Sequence, residues 1–310
     1  MRIEGIRQDL VDGWGRVAAD VIWEDRDAPP QTLTIEIRAP FAAELEPSPD
    51  AFLVALLPLA QWMGERRVRV EGSICCRLRD GLGAAMELFS IWYERCRAVR
   101  IEPSRGFVPT LPRHEPRAAA FLSGGVDALS LFRANRLEYA SGHPSFIRDC
   151  LVLFGLNSFD ADPDGPNAQR LTVFDALVAR MTPFAERADA TLIPIKTNIR
   201  ALYPDFRSWG AVGFGAGLVS TALCLPRRID RVELGSAGLG MRHPPQGSHP
   251  WLDHHYSTEA VTVRHAQVPM SRFEKTRLLA EWDDALAVLR SCFYQTIPAE
   301  GRINCGQCEK

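Results

Sequence analysis

The feature that most constrains this chain lies beyond residue 116. Four short apolar runs, Ala118 to Leu122, Asp149 to Leu156, Thr191 to Asn198 and Arg231 to Gly238, alternate with helical patterns over Asp127 to Leu137, Thr172 to Ala188 and Ala211 to Leu223. Strands this apolar, separated by helices, satisfy their backbones as a parallel sheet covered on both faces. The expected fold class is therefore α/β, a parallel sheet flanked by helices, over residues 117–310. Residues 1–102 read as a smaller N-terminal α+β unit. "TLTIEIRAP" alternates as a half-buried strand does, and "RVAADVIW" and "RRVRVEGSICCRL" are also strand-like. "DGLGAAMELFSIWYERCRAV" has helical spacing, with Leu82, Met86, Leu88, Phe89 and Trp92 on one face. Residues 103–116 hold Pro103, Pro109, Pro112 and Pro116, which argues against regular structure and reads as a linker.

Composition excludes several classes. The formal charge of -2 gives no bulk field for nucleic acid. The longest apolar run, Ala51 to Ala60, is too short to span a bilayer and contains Pro58. The N-terminal residues carry no apolar signal region, so a soluble, cytoplasmic protein with no membrane partner is expected. The 8 cysteines are then expected as thiols or metal ligands. Cys75-Cys76 reads as strand core, and Cys96, Cys150 and Cys224 sit in apolar contexts and read as buried thiols.

The first run ends in "AFLSGGVDALSLF". Leu122, Ser123, Gly124, Gly125, Val126 and Asp127 fall between a strand and a helix, at the end of the sheet where ligands bind. The helix's first N–H groups have no intrahelical partner and favour an anion. Two glycines let the backbone approach phosphate oxygens. Asp127 would repel a bare phosphate, so it implies a divalent cation or a helix cap. The Walker pattern is absent, since no Gly-Lys pair occurs. At the other end, Cys305 and Cys308 form a C-x-x-C knuckle with Cys292 upstream, a set suited to Zn2+. A closed site needs four ligands. The fourth would be a residue past 310, a histidine or a water. A redox pair and an incidental spacing are the other readings of the knuckle.

Ser-Gly-Gly-x-Asp after a strand and before a helix resembles the PP-loop of the ATP pyrophosphatases. The order of motifs over residues 117–310 is similar to the 7-cyano-7-deazaguanine synthases within that family. "MSRFEKTRLLA" looks like their late helix start, Ser291-Cys292-Phe293 like their Ser-Cys-Tyr, and Asn304-Cys305-Gly306-Gln307-Cys308 like their zinc knuckle. Ala128 departs from the family's frequent serine, and the segment from Gly235 to Asp253 diverges. The resemblance implies a Rossmann-like PP-loop domain that binds ATP with Mg2+ and holds Zn2+ in its tail. It further implies that a carboxylate or amide of a 7-deazaguanine-type acid is adenylated for attack by a nitrogen nucleophile, with release of AMP and pyrophosphate. Some relatives join a deazaguanine to a partner protein in antiviral defence, and the N-terminal unit would suit such a partner. A homodimer is also compatible.

Other residues follow from position. Gly235-Ser236 ends the fourth run and can place amides near a phosphate, the alternative being a plain connecting loop. Lys196 ends the third and is a candidate for stabilising charge on the α-phosphate, or a solvated lysine. Arg242, Arg272 and Lys275 are candidates for neutralising pyrophosphate, or a solvated charge run near a helix start. The resemblance makes Asp253 the expected substrate-facing carboxylate, since the family's counterpart segment also carries acids, with loop packing as the alternative. A metal at His249, Asp253, His254 and His255 is disfavoured, because adjacent histidines on an extended segment diverge. "DADPDG" (Asp160 to Gly165) lacks the EF-hand glutamate, having Leu171 there, and reads as an acidic loop. "GFGAG" (Gly213 to Gly217) follows no strand and reads as a place where a helix packs closely. Two other readings stay open: a sulfur transferase with persulfide on Cys305 and Cys308, and a non-catalytic ATP-binding scaffold.

Overall fold

The computed structural model describes residues 1–109, 116–156, 167–237, 243–291 and Asn304. The first half holds β1 (Arg2–Val11), β2 (Trp14–Ile22), β3 (Gln31–Arg38), α1 (Pro49–Met63), β4 (Arg67–Val70), β5 (Ile74–Cys75), α2 (Cys76–Trp92), β6 (Arg100–Pro103) and β7 (Phe107–Val108). The second begins with β8 (Ala118–Phe121), α3 (Val126–Glu138), β9 (Ile147–Phe154), α4 (Asn167–Arg187) and β10 (Thr191–Thr197). It continues with α5 (Ile199–Leu202), α6 (Phe206–Ser208), α7 (Phe214–Leu223), β11 (Arg231–Gly235), β12 (Thr262–Ala266), α8 (Arg272–Ala280) and α9 (Asp283–Leu286).

Ten strands form one sheet in the order β12-β11-β8-β9-β10-β3-β2-β1-β4-β6. The protein is α/β, with a large, mostly parallel sheet flanked by helices. The strands β12, β11, β8, β9 and β10 are mutually parallel. Numbered within their own half, they run 5-4-1-2-3, the order of a Rossmann-like sheet. The order reverses between β8 and β11.

The parallel strands bury both faces. Ala118, Ala120, Cys150, Val152 and Leu192 join one apolar cluster with α3, α4 and α8. The intervening Ala119, Phe121, Leu151, Ile193 and Ile195 join the other, which runs without a break into Met1, Ile3, Val17, Leu33 and α1. The N-terminal half therefore shares both sheet and core with the C-terminal half. The seam is the antiparallel pairing of β10 with β3. Asn198 reinforces it, accepting from the Thr34 N–H and donating to the Thr32 carbonyl.

Several local expectations need correction. The proline-rich stretch carries β6 through Pro103, and β7. The first is the sheet's outer strand, where a missing N–H costs no ladder bond, and the second is two residues long. Cys76 opens α2 instead of extending a strand, and α2 stops at Trp92. The run from Ala51 to Ala60 lies in α1, which is buried on nearly all sides. β1 and β12 are strands that the sequence pattern does not announce, β1 because half of its residues are exposed. The glycines of Gly213–Gly217 do allow close packing: a β-carbon at Gly217 would lie 2.5 Å from the Trp209 ring. Cys75, Cys96, Cys150 and Cys224 are buried thiols. No described helix is long and apolar enough to cross a membrane. Asp160 to Gly165 falls outside the described residues.

Asp50, in the first turn of α1, accepts from the Cys75 N–H at 2.9 Å, and the Cys75 thiol donates to Glu259. Burial pushes the Asp50 carboxyl up to about 6, against the Cys75 hydrogen bond and with help from the nearby Glu259 charge. The folded state thus holds this proton more tightly than the unfolded chain. Asp50 costs nothing below the unfolded pKa of 3.8 and most above 6. Asp50→Asn is expected to stabilise the protein at pH 8 by about 2–3 kcal/mol, with most of the gain gone near pH 4. Urea unfolding at both pH values checks this, and an equal gain at both would refute it.

Candidate functional site

The site lies at the C-terminal ends of β8 and β11, in the crevice where the strand order reverses. Leu122 is buried, and its N–H bonds to the Leu151 carbonyl at 2.8 Å, which fixes the end of β8. The chain then turns sharply, with Ser123 exposed and Gly124 at φ +78°. That left-handed backbone is strained for any residue with a side chain. The Gly124 carbonyl accepts from Arg290, so the segment after α9 closes one side of the loop. Gly125 is the N-cap of α3, and among the described residues no side chain caps this helix. Its first turn, from Val126 and Asp127, presents N–H groups and the positive end of a 13-residue helix to the loop.

Around this turn sit one carboxylate and two cations. Asp127 receives Arg272 at 2.9 Å and Lys275 at 3.2 Å, both from α8. The Lys275 side chain is wholly buried and also donates to the Ser236 carbonyl. Burial pushes its ammonium below the usual lysine range, opposed by the Asp127 charge. A Ser271–Glu274 capping box starts α8 where the sequence predicts a helix start, which sets Arg272 and Lys275 one turn apart on one face. Gly235 permits the close approach of β11. A β-carbon there would lie 2.7 Å from the Asp127 carbonyl oxygen. The cluster carries one net positive charge at a helix N-terminus, which suits an anion.

A second group of side chains adjoins Ser236. The Ser236 N–H bonds to the Ala266 carbonyl at 3.0 Å, and its hydroxyl lies 3.1 Å from His243 Nε2. The other nitrogen of His243 meets Gln246 at 3.2 Å. Next to Ala266, His265 Nδ1 lies 2.7 Å from Asp253 Oδ2. Asp253 is fully buried and also accepts from the Ser248 hydroxyl at 2.8 Å and the His249 N–H at 3.3 Å. Burial depresses both His243 and His249, for His249 against the His243 backbone hydrogen bond and the Asp253 charge. His254 and His255 sit on a turn with rings 4.0 Å apart, not on an extended segment. Among the described residues no three His, Cys, Asp or Glu side chains converge as metal ligands do.

Leu122, Ser123, Gly124, Gly125, Val126, Asp127, Gly235 and Ser236 thus come together, along with Arg272 and Lys275. Lys196 does not join them. It stands two strands away, its ammonium 3.6 Å from the Trp14 ring centre, and burial lowers its pKa. Asp253 faces His265 and the backbone of its own loop. Cys292, Cys305, Cys308 and Arg242 lie outside the described residues. Sequence reasoning passed over His243 and His265. The available signal was density, since five of the chain's seven histidines fall between 243 and 265. The N-terminal half supports this region. A β-carbon on Gly81 of α2 would meet the His255 carbonyl, Tyr93 donates to the Pro245 carbonyl at 2.8 Å, and the Trp92 and His249 rings lie 4.9 Å apart.

Comparison with known family models, curated proteins and solved structures gives no match. The contact between β11 and α3 is directly testable. Gly235→Ala is expected to cost about 1–3 kcal/mol, because the obstructing atoms are backbone and cannot rotate away. Urea denaturation measures it, and an unchanged midpoint would mean that β11 does not meet the first turn of α3 as described.

Proposed function

We propose that this chain is an ATP-dependent synthase of the PP-loop ATP pyrophosphatase type, resembling the 7-cyano-7-deazaguanine synthases. In this reading it adenylates the carboxylate of a 7-deazaguanine-type acid for attack by a nitrogen nucleophile, releasing AMP and pyrophosphate. The observation that carries it is the Ser-Gly-Gly-x-Asp turn at the strand-order reversal, with Asp127 bracketed by Arg272 and Lys275. The loop amides and the start of α3 would cradle the β- and γ-phosphates, and the two cations would offset charge on the leaving pyrophosphate. Mg2+, when bound, would neutralise phosphate charge. Asp127 fits as its protein ligand, since this ion commonly takes one or two carboxylates and draws its other ligands from phosphate and water. Gly235 and Ser236 would border the reacting carboxylate. Cys292, Cys305 and Cys308 are proposed zinc ligands, and the N-terminal half a docking unit for a protein partner in the cytoplasm.

The test is the nucleotide product. With Mg-ATP, 7-carboxy-7-deazaguanine and ammonium, chromatography is expected to show AMP and pyrophosphate that depend on the acid. ADP and phosphate would overturn the reading. Asp127→Ala is expected to lower AMP formation by about 100-fold or more while circular dichroism stays unchanged. Retained turnover would remove Asp127 from the mechanism.

A further inference from the structure

Among the described residues, one polar atom next to the candidate site has no partner. His265 Nε2 is buried and makes no hydrogen bond to them, although the same ring's Nδ1 is tied to Asp253. The side chain is only 4% exposed and that of Asp253 not at all. A buried polar atom left unpaired is costly and uncommon, so it calls for a physical reason. The Asp253 carboxylate already accepts from Ser248 and from the His249 backbone. In the neutral ring an acceptor held in this way takes the proton of Nδ1, which leaves Nε2 with the lone pair. Asp253 therefore positions His265 and sets its tautomer.

The lone pair is well located. His265 lies opposite Leu234 in the β11–β12 register, one residue from the end of β12, at the same edge of the sheet as the glycine loop. Its neighbour Ala266 holds the Ser236 N–H, and the Ser236 carbonyl holds Lys275, which reaches Asp127. The His243 ring stands nearly perpendicular to the His265 ring at 5.8 Å. Both nitrogens of His243 face Ser236 and Gln246, so they leave His265 Nε2 unpaired.

The geometry points to His265 as the general base for the nitrogen nucleophile, with Asp253 as its positioning residue, a role that rests on the adenylation reading above. The nitrogen lone pair forms the C–N bond to the acyl carbon. The bond from that carbon to the phosphate oxygen breaks, and AMP leaves as an anion. The surplus proton on nitrogen passes to His265 Nε2. The adenylation half-reaction needs no such base, so the two halves are separable.

The experiment uses the full chain with Mg-ATP, 7-carboxy-7-deazaguanine and ammonium, and reads each half separately. Adenylation is followed as acid-dependent exchange of labelled pyrophosphate into ATP, and transfer as formation of the C–N product. His265→Gln is expected to keep exchange within about 2-fold and to lose about 100-fold or more in transfer. Asp253→Asn is expected to give the same split, which a merely structural role would not produce. In His265→Ala, added imidazole is expected to restore transfer. Transfer at the wild-type rate in His265→Gln overturns the assignment, and so does an equal loss of both halves in a folded variant. Absence of both halves in the wild-type protein would instead remove the adenylation reading, and this role with it. Nitrogen NMR of the wild-type protein adds a check that does not depend on any variant folding. His265 is expected to show an unprotonated Nε2, and a protonated one overturns the proposal.

Discussion

The candidate site is organised around one buried ammonium. Lys275 is enclosed on all sides and holds together three parts of the chain: α8, which carries it, Asp127 at the start of α3, and the Ser236 carbonyl after β11. A charge without water must be met by charge and hydrogen bonds, or it neutralises. Asp127 supplies the first and the carbonyl the second. This pins the ends of β8 and β11 against each other. Gly235 makes the contact possible, because no β-carbon intervenes. The crevice that the strand order creates is thereby closed at its base and open towards solvent at Ser123.

A second constraint sits across the sheet. The β10–β3 pairing merges a parallel sheet with an antiparallel meander, so that one apolar cluster serves both. The N-terminal half consequently acts on the site from behind. Through α2 it braces the turn at residues 253–256, and through Trp92 and Tyr93 it touches His249 and Pro245. Asp253 and His265 owe their fixed orientation to that brace as well as to their own hydrogen bond. Within the site, the anion-favouring turn and the histidine group share Ser236, whose backbone and hydroxyl connect the two.

What the sequence by itself determined is the local grammar. Apolar runs alternating with helical periods specify a sheet covered on both faces, because only that arrangement buries such strands and satisfies their backbones. Two glycines between a strand and a helix mark a turn at a helix N-terminus. These signals act within a few residues and survive without a fold. Tertiary structure alone decided which side chains meet. Lys196 ends a strand in the expected place, but its strand borders the antiparallel half, so it packs on Trp14 instead of the glycine loop. Lys275 reads as one charge among several near a helix start, and only the crossing of α8 over α3 buries it beside Asp127. His265 lies 12 residues from Asp253 and 138 from Asp127. Its unpaired nitrogen exists because strand register and loop packing place no protein partner beside it among the described residues, and no local pattern encodes that.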